Sequence, residues 1–144
     1  MLILVVHLAL AGVWLGSMAY SLVVVQPRVD RYCTDPVRRE ELLVTLANGN
    51  RRPVLVLIAG LLGTGVAALL VRPEARLGYA LALGLYLPAT ALFWYVSWRH
   101  WPARVFALPD ELPGYQRRLR RLAWAMAGLV GAAFVSALVA SVRG

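Results

Sequence analysis

The chain is built from long apolar runs separated by short stretches that carry nearly all of its charge. The first, Leu2 to Val25, has no formally charged side chain apart from the ionisable His7. At about 1.5 Å per residue it reaches roughly 36 Å, enough to cross a bilayer core with some tilt. Three more runs follow: Pro53 to Val71, Leu77 to Trp98, and Leu122 or Ala123 to Val142. The pattern predicts an all-α fold, an integral membrane four-helix bundle of up-down-up-down topology, in a single transmembrane domain spanning residues 1–144. Its spans fall at about 2–25, 53–71, 77–98 and 122–142.

The connections are read from their breakers. Gln26-Pro27-Arg28 is expected to end the first span, since proline does not continue an uninterrupted helix and arginine prefers the headgroup layer. In the loop that follows, Asp35-Pro36 reads as an N-cap with proline at the first helical position, and Asn48-Gly49-Asn50 as a stop. A short amphipathic surface helix is therefore expected there, with Val37, Leu43, Val44 and Leu46 toward lipid or bundle. Arg38, Arg39, Glu40 and Glu41 would form its solvated, locally paired face. Arg72 to Arg76 is short enough only for a tight turn, so spans two and three are antiparallel neighbours. A longer loop, Arg99 to about Arg121, leads into span four.

Within the spans, small residues and aromatics mark different faces. Gly12 and Gly16 form a GxxxG pair in span one. In span two, Ala59, Gly63 and Ala67 share one face and Gly60 and Thr64 another. In span four, Ala123, Ala127 and Gly131 recur at the same spacing. Such faces let helix backbones approach closely, so Gly12, Gly16, Gly60, Gly63, Ala127 and Gly131 are the candidate packing positions. Span three is different in character. Tyr79, Tyr86 and Thr90 fall within one face and need hydrogen-bond partners in a dry interior, and Pro88 frees the carbonyl of Gly84. Trp94, Tyr95, Trp98 and Trp101 gather at its exit as an interfacial aromatic belt.

Composition sharpens this picture. The chain of 144 residues is 60% hydrophobic, and its net charge of +8 comes from fifteen arginines and no lysine against seven acids. The arginines sit at the ends of apolar runs, so the expected partners are the lipid bilayer and anionic headgroups, and nucleic acid is not expected. Twelve of them lie in the first and third loops; only Arg72, Arg76 and Arg143 lie on the other side. By the positive-inside rule both long loops are cytoplasmic and both termini outside. Arg51, Arg52, Arg117, Arg118, Arg120 and Arg121 then stand at the membrane interface with the tryptophans. Ser17-Met18-Ala19 offers a small-x-small pattern. No basic stretch precedes it and the apolar run continues, so a span is expected rather than a cleaved leader. A single cysteine, Cys33, excludes an intrachain disulfide and reads as a free thiol.

The candidate chemistry is concentrated in His7. An ionisable group inside the hydrocarbon region is rare and usually points into a bundle or cavity. It shares a stripe with Ala11, Trp14 and Met18. His7, Trp14 and Met18 are the candidate cofactor-binding set and His7 the candidate metal ligand. By helix rise Met18 is about 16 Å from His7, so the two do not ligate one ion. His100 lies near the other end of the bundle, so a site with both histidines would need a second chain. Two readings of His7 stand side by side: a ligand or proton-handling group, and a buried histidine bonded to another helix. No nucleophile-base pair, carboxylate dyad, phosphate loop or zinc motif is present, which argues against a hydrolase or transferase.

Several short patterns together resemble the small four-span members of the copper resistance D family. These are His7-x6-Trp14-x-Gly16, Val24 to Pro27, Arg51-Arg52-Pro53, the Thr64-Gly65 pair, His100 and Arg104, and the arginine-leucine entry at Arg117 to Leu122. The resemblance implies a bacterial inner-membrane protein linked to copper uptake or tolerance, with His7 as the first-span histidine. The first-span His and Trp-x-Gly are also similar to the HemJ-type protoporphyrinogen oxidases. That likeness would imply haem, although span three here has no lysine or histidine in its interior. A third expectation is a non-catalytic accessory subunit, packed through its small-residue faces into a homo-oligomer or larger membrane complex.

Overall fold

The computed structural model describes residues 2–143, the side chain of Arg143 excepted. It consists of four rods, each long and apolar enough to cross a membrane: α1, Leu2–Tyr32; α2, Pro36–Val71; α3, Pro73–Val105; and α4, Leu112–Arg143. No strand occurs among the described residues. α1 packs on α2 and α4, α2 on α3, and α3 most extensively on α4, which closes the ring. The sequential neighbours run antiparallel. His7 near the start of α1 meets Thr64 near the end of α2, Arg51 of α2 meets Ser97 near the end of α3, and Gly78 of α3 meets Ala140 of α4.

The rods extend well past the predicted spans at one end, and three expectations change there. α1 does not stop at Gln26-Pro27-Arg28 but continues to Tyr32. The expected surface helix is not a separate element. Asp35 caps it as read, its carboxylate accepting from the Val37 N–H at 3.0 Å, but the helix passes through Asn48-Gly49-Asn50 and Pro53 into one 36-residue rod, about 54 Å long. Glu40 is not on a solvated face either: it is paired across to Arg104 of α3. The reason is common to all three. Beyond the apolar core the extensions hold one another, with Arg39 bonded to Asp30 of α1 and Gln116 of α4, and Arg120 of α4 bonded to Asp30. These contacts override the local stop signals.

Proline is accommodated in α1 and α3 by the same device. Residues Ser21–Val25 form a π-turn two residues before Pro27, and Val96–His100 form another two residues before Pro102. A proline ring collides with the carbonyl four residues back; widening the preceding turn to five-residue bonds, as from Gln26 N–H to Ser21 O, moves that carbonyl aside.

The interior is large aromatic against small aliphatic. Trp14, Tyr79 and Tyr86 are fully buried among Ala11, Ala82, Ala89, Ala133 and Ala137. The outer surface is apolar, with Leu2, Val5, Val56, Leu70, Leu77 and Leu87 exposed, which is compatible with helices that cross a membrane. Gly78 lets α3 close on α4: a Cβ there would lie 2.5 Å from the Ala140 Cβ. Among the candidate packing positions, Gly60 lies against Leu10, Gly131 against Leu15 and Gly12 against Phe134, and Ala127 is buried. Gly16 and Gly63 turn outward with no neighbour near. The inward phase of α1 is set by Leu4, His7, Ala11 and Trp14, and that of α2 by Leu61, Gly65 and Ala68.

Candidate functional site

His7 is wholly buried, on the inward stripe of α1 with Ala11 and Trp14; Met18, on the same stripe, is half-buried. Its Nδ1 lies 3.0 Å from Oγ1 of Thr64. The threonine hydroxyl has one proton and spends it on its own helix, on the Gly60 carbonyl at 2.8 Å. Oγ1 therefore accepts from Nδ1–H, and this network assigns the tautomer in which Nε2 carries the lone pair. Nε2 is buried and has no hydrogen-bond partner. Gly65, one residue on, is needed for the ring to sit here: a Cβ would come within 3.1 Å of His7 Cε1 and 2.8 Å of Leu83 Cδ2. The Thr64-Gly65 pair noted in the sequence thus supplies both a bond to His7 and the space for it.

Two tyrosines of α3 complete the enclosure. Tyr79 and Tyr86 stand edge-on to the imidazole, with centroids 6.3 and 5.9 Å away, and Trp14 stacks on Tyr86 at 6.3 Å and 25°. The hydroxyls of Tyr79, Tyr86 and Thr90 were expected to bond to neighbouring helices. All three are buried without a partner. His7 Nε2 shares this condition, buried and without a hydrogen-bond partner.

A second polar cluster occupies the arginine-rich end. Arg104 is buried, lies 4.4 Å over the ring of Trp101, and donates from Nη2 to Glu40 at 2.5 Å; His100 is buried beside Tyr115. Arg51 donates from Nη2 to the Ser97 carbonyl at 2.7 Å and lies 5.1 Å over Trp98, which stacks on the exposed Trp94 at 4.0 Å. That carbonyl is the one the π-turn register would pair with residue 102, where proline has no N–H to give. Arg118 lies 5.8 Å over Tyr95, whereas Arg52, Arg117 and Arg121 are exposed and Arg120 pairs with Asp30. The interface arginines therefore divide. Some are exposed; Arg104 is buried against Glu40, and Arg51 spends one donor on the protein. Pro102 marks in the sequence a helix carbonyl left without its N–H, but nothing there shows that Arg51 answers it.

No family model, curated protein or solved structure matches this chain. The chemistry of the His7 cluster must therefore be judged on its own atoms. A metal-ligating histidine characteristically donates its second ring N–H to a fixed acceptor, which sets its orientation and leaves the other nitrogen toward the ion. His7 has this arrangement. The cluster supplies only that one nitrogen, since no group of three or more His, Cys, Asp or Glu gathers among the described residues. The ring is wholly buried, edge-on to Tyr79 and Tyr86 and close to the backbone of Gly65.

Proposed function

We propose that this chain is a multi-pass protein of a bacterial inner membrane that handles copper as a cargo, with His7 as its ligating side chain. The observation that carries the reading is the buried, unpartnered Nε2 of His7, oriented by the Nδ1–Thr64 bond. Imidazole nitrogen suits copper, and a lone nitrogen among phenols releases an ion more readily than a closed set of thiolates and histidines would. That favours transfer over storage, because conduction requires binding weak enough to leave. The orientation proposed places the arginine-rich end in the cytoplasm and both termini outside, so His7 lies nearer the outer face. No nucleophile-base pair adjoins the imidazole, which supports a binding rather than a catalytic role.

The test is elemental and optical analysis of the purified protein after exposure to copper. Copper should be retained by the wild type and lost from His7→Ala, without a Soret band in either. Equal copper content in the two proteins would overturn the reading, and a haem spectrum would replace it with the haem one. A second reading, an accessory subunit of a larger complex, is favoured by the outward glycines Gly16 and Gly63 on adjacent helices. A single-chain mass in mild detergent, with no co-purifying partner, would exclude it.

A further inference from the structure

A feature not used above is a cavity of about 180 Å³ in the arginine-rich half of the bundle. It reaches from the indole of Trp14, the far side of the ring system that encloses His7, to Arg51 and Trp101. Both π-turns open onto it, through Leu22 on α1 and Ser97 on α3. All four helices line it, and no aspartate or glutamate does.

We propose that this cavity binds a small organic monoanion with a flat apolar body, its carboxylate held by Arg51. The charge comes first. Arg51 is half-buried, makes no ion pair among the described residues, and spends one donor on the Ser97 carbonyl. A guanidinium has further donors in a planar fork that matches a carboxylate, and a partly buried cation without a counter-charge gains most from one. Next is the shape of the remaining wall. Trp14, Phe93, Val96 and Met126 present aromatic and aliphatic surface, and polar reach is confined to a few groups such as Asn50 and Gln26 near the arginine. This is the pattern of a ligand site with an apolar body and few orienting polar groups. A cavity of about 150 Å³ lined by apolar side chains holds benzene, so this volume suits a one-ring acid. The uncompensated charge of Arg51, with no acid in the lining to offset it, repels a cation, and His7 is not among the lining residues, so this site is separate from His7.

The experiment is equilibrium dialysis of the purified full-length protein in non-ionic detergent against labelled benzoate, with its neutral isostere benzamide in parallel. Benzoate should bind once per chain, and benzamide at least tenfold more weakly. Arg51→Gln should weaken benzoate at least tenfold. Ala123→Phe, which fills the cavity without touching the arginine, should remove binding of both. His7→Ala should leave benzoate binding unchanged, so this proposal and the copper reading fail independently. Failure of benzoate to bind, equal affinity for the acid and the amide, or undiminished binding by Ala123→Phe would each overturn the assignment.

Discussion

The Glu40–Arg104 pair offers the sharpest test of how the arginine-rich end is held. The Arg104 side chain is 1% exposed and that of Glu40 12%, so both charges have left water to meet. Two further nitrogens of Arg104 and the second oxygen of Glu40 have no partner, so the guanidinium depends heavily on this carboxylate and on the Trp101 ring. Removing one member of a buried pair costs about 3–5 kcal/mol, because the other is left charged and dry. Since Glu40 keeps some exposure, Glu40→Ala belongs near the lower figure, about 3 kcal/mol. That is a large part of the roughly 5–15 kcal/mol that holds a typical domain together. Arg104→Met should cost less, about 2 kcal/mol, because the carboxylate it strands can turn to water while methionine keeps the contact with Trp101. Glu40→Ala/Arg104→Met should then be far milder than the sum of the two, with a coupling of about 2 kcal/mol or more. The assay is unfolding by added SDS in mixed micelles, followed by tryptophan emission. Additive single losses, or a Glu40→Ala cost under about 1 kcal/mol as for exposed pairs, would refute the burial argument.

Three other outcomes follow from the same structure. Thr64→Val removes the acceptor for His7 Nδ1 at nearly constant shape and should lower copper affinity about 10- to 100-fold in competition with a chromophoric chelator. Gly78→Ala should destabilise by about 1–3 kcal/mol in SDS titrations, because its Cβ meets Ala140, while Gly63→Ala on the open face should be neutral or slightly stabilising. Cys33, the single thiol and half-buried between α1 and α2, should react with a membrane-impermeant maleimide in inside-out vesicles and not in intact spheroplasts. The reverse labelling would invert the proposed topology.

The four rods were legible because an apolar run long enough to span a membrane is a one-dimensional signal, and His7 because it interrupts such a run. The inward face of α3 was legible too, from the spacing of Tyr79, Tyr86 and Thr90. What escaped depends on residues far apart in the chain. Nothing local tells that Glu40 answers to Arg104, or that Arg39 reaches both Asp30 and Gln116, and so the stop at Asn48-Gly49-Asn50 and the end at Pro27 read as boundaries when they are not. In the same way, Arg51 and Trp101 matched a headgroup belt by composition. Only their placement shows that both border a cavity within the bundle. The tyrosine hydroxyls reverse the case: their face was correct, but a pattern of residues cannot show whether a partner arrives on the facing helix.

The two wide turns carry a consequence for how the molecule can vary. Each holds one residue more than a regular rod would, so the segment beyond it is swung by about 100° about the helix axis relative to an unbroken helix. The two halves of α1 are thereby keyed to different neighbours through separate frames. An inserted residue between Trp14 and Ser21 would carry Leu22 and Gln26 off the cavity wall while His7 stayed in its socket. The end that holds the imidazole and the end that holds the arginines are thus free to change independently within one continuous strand of backbone.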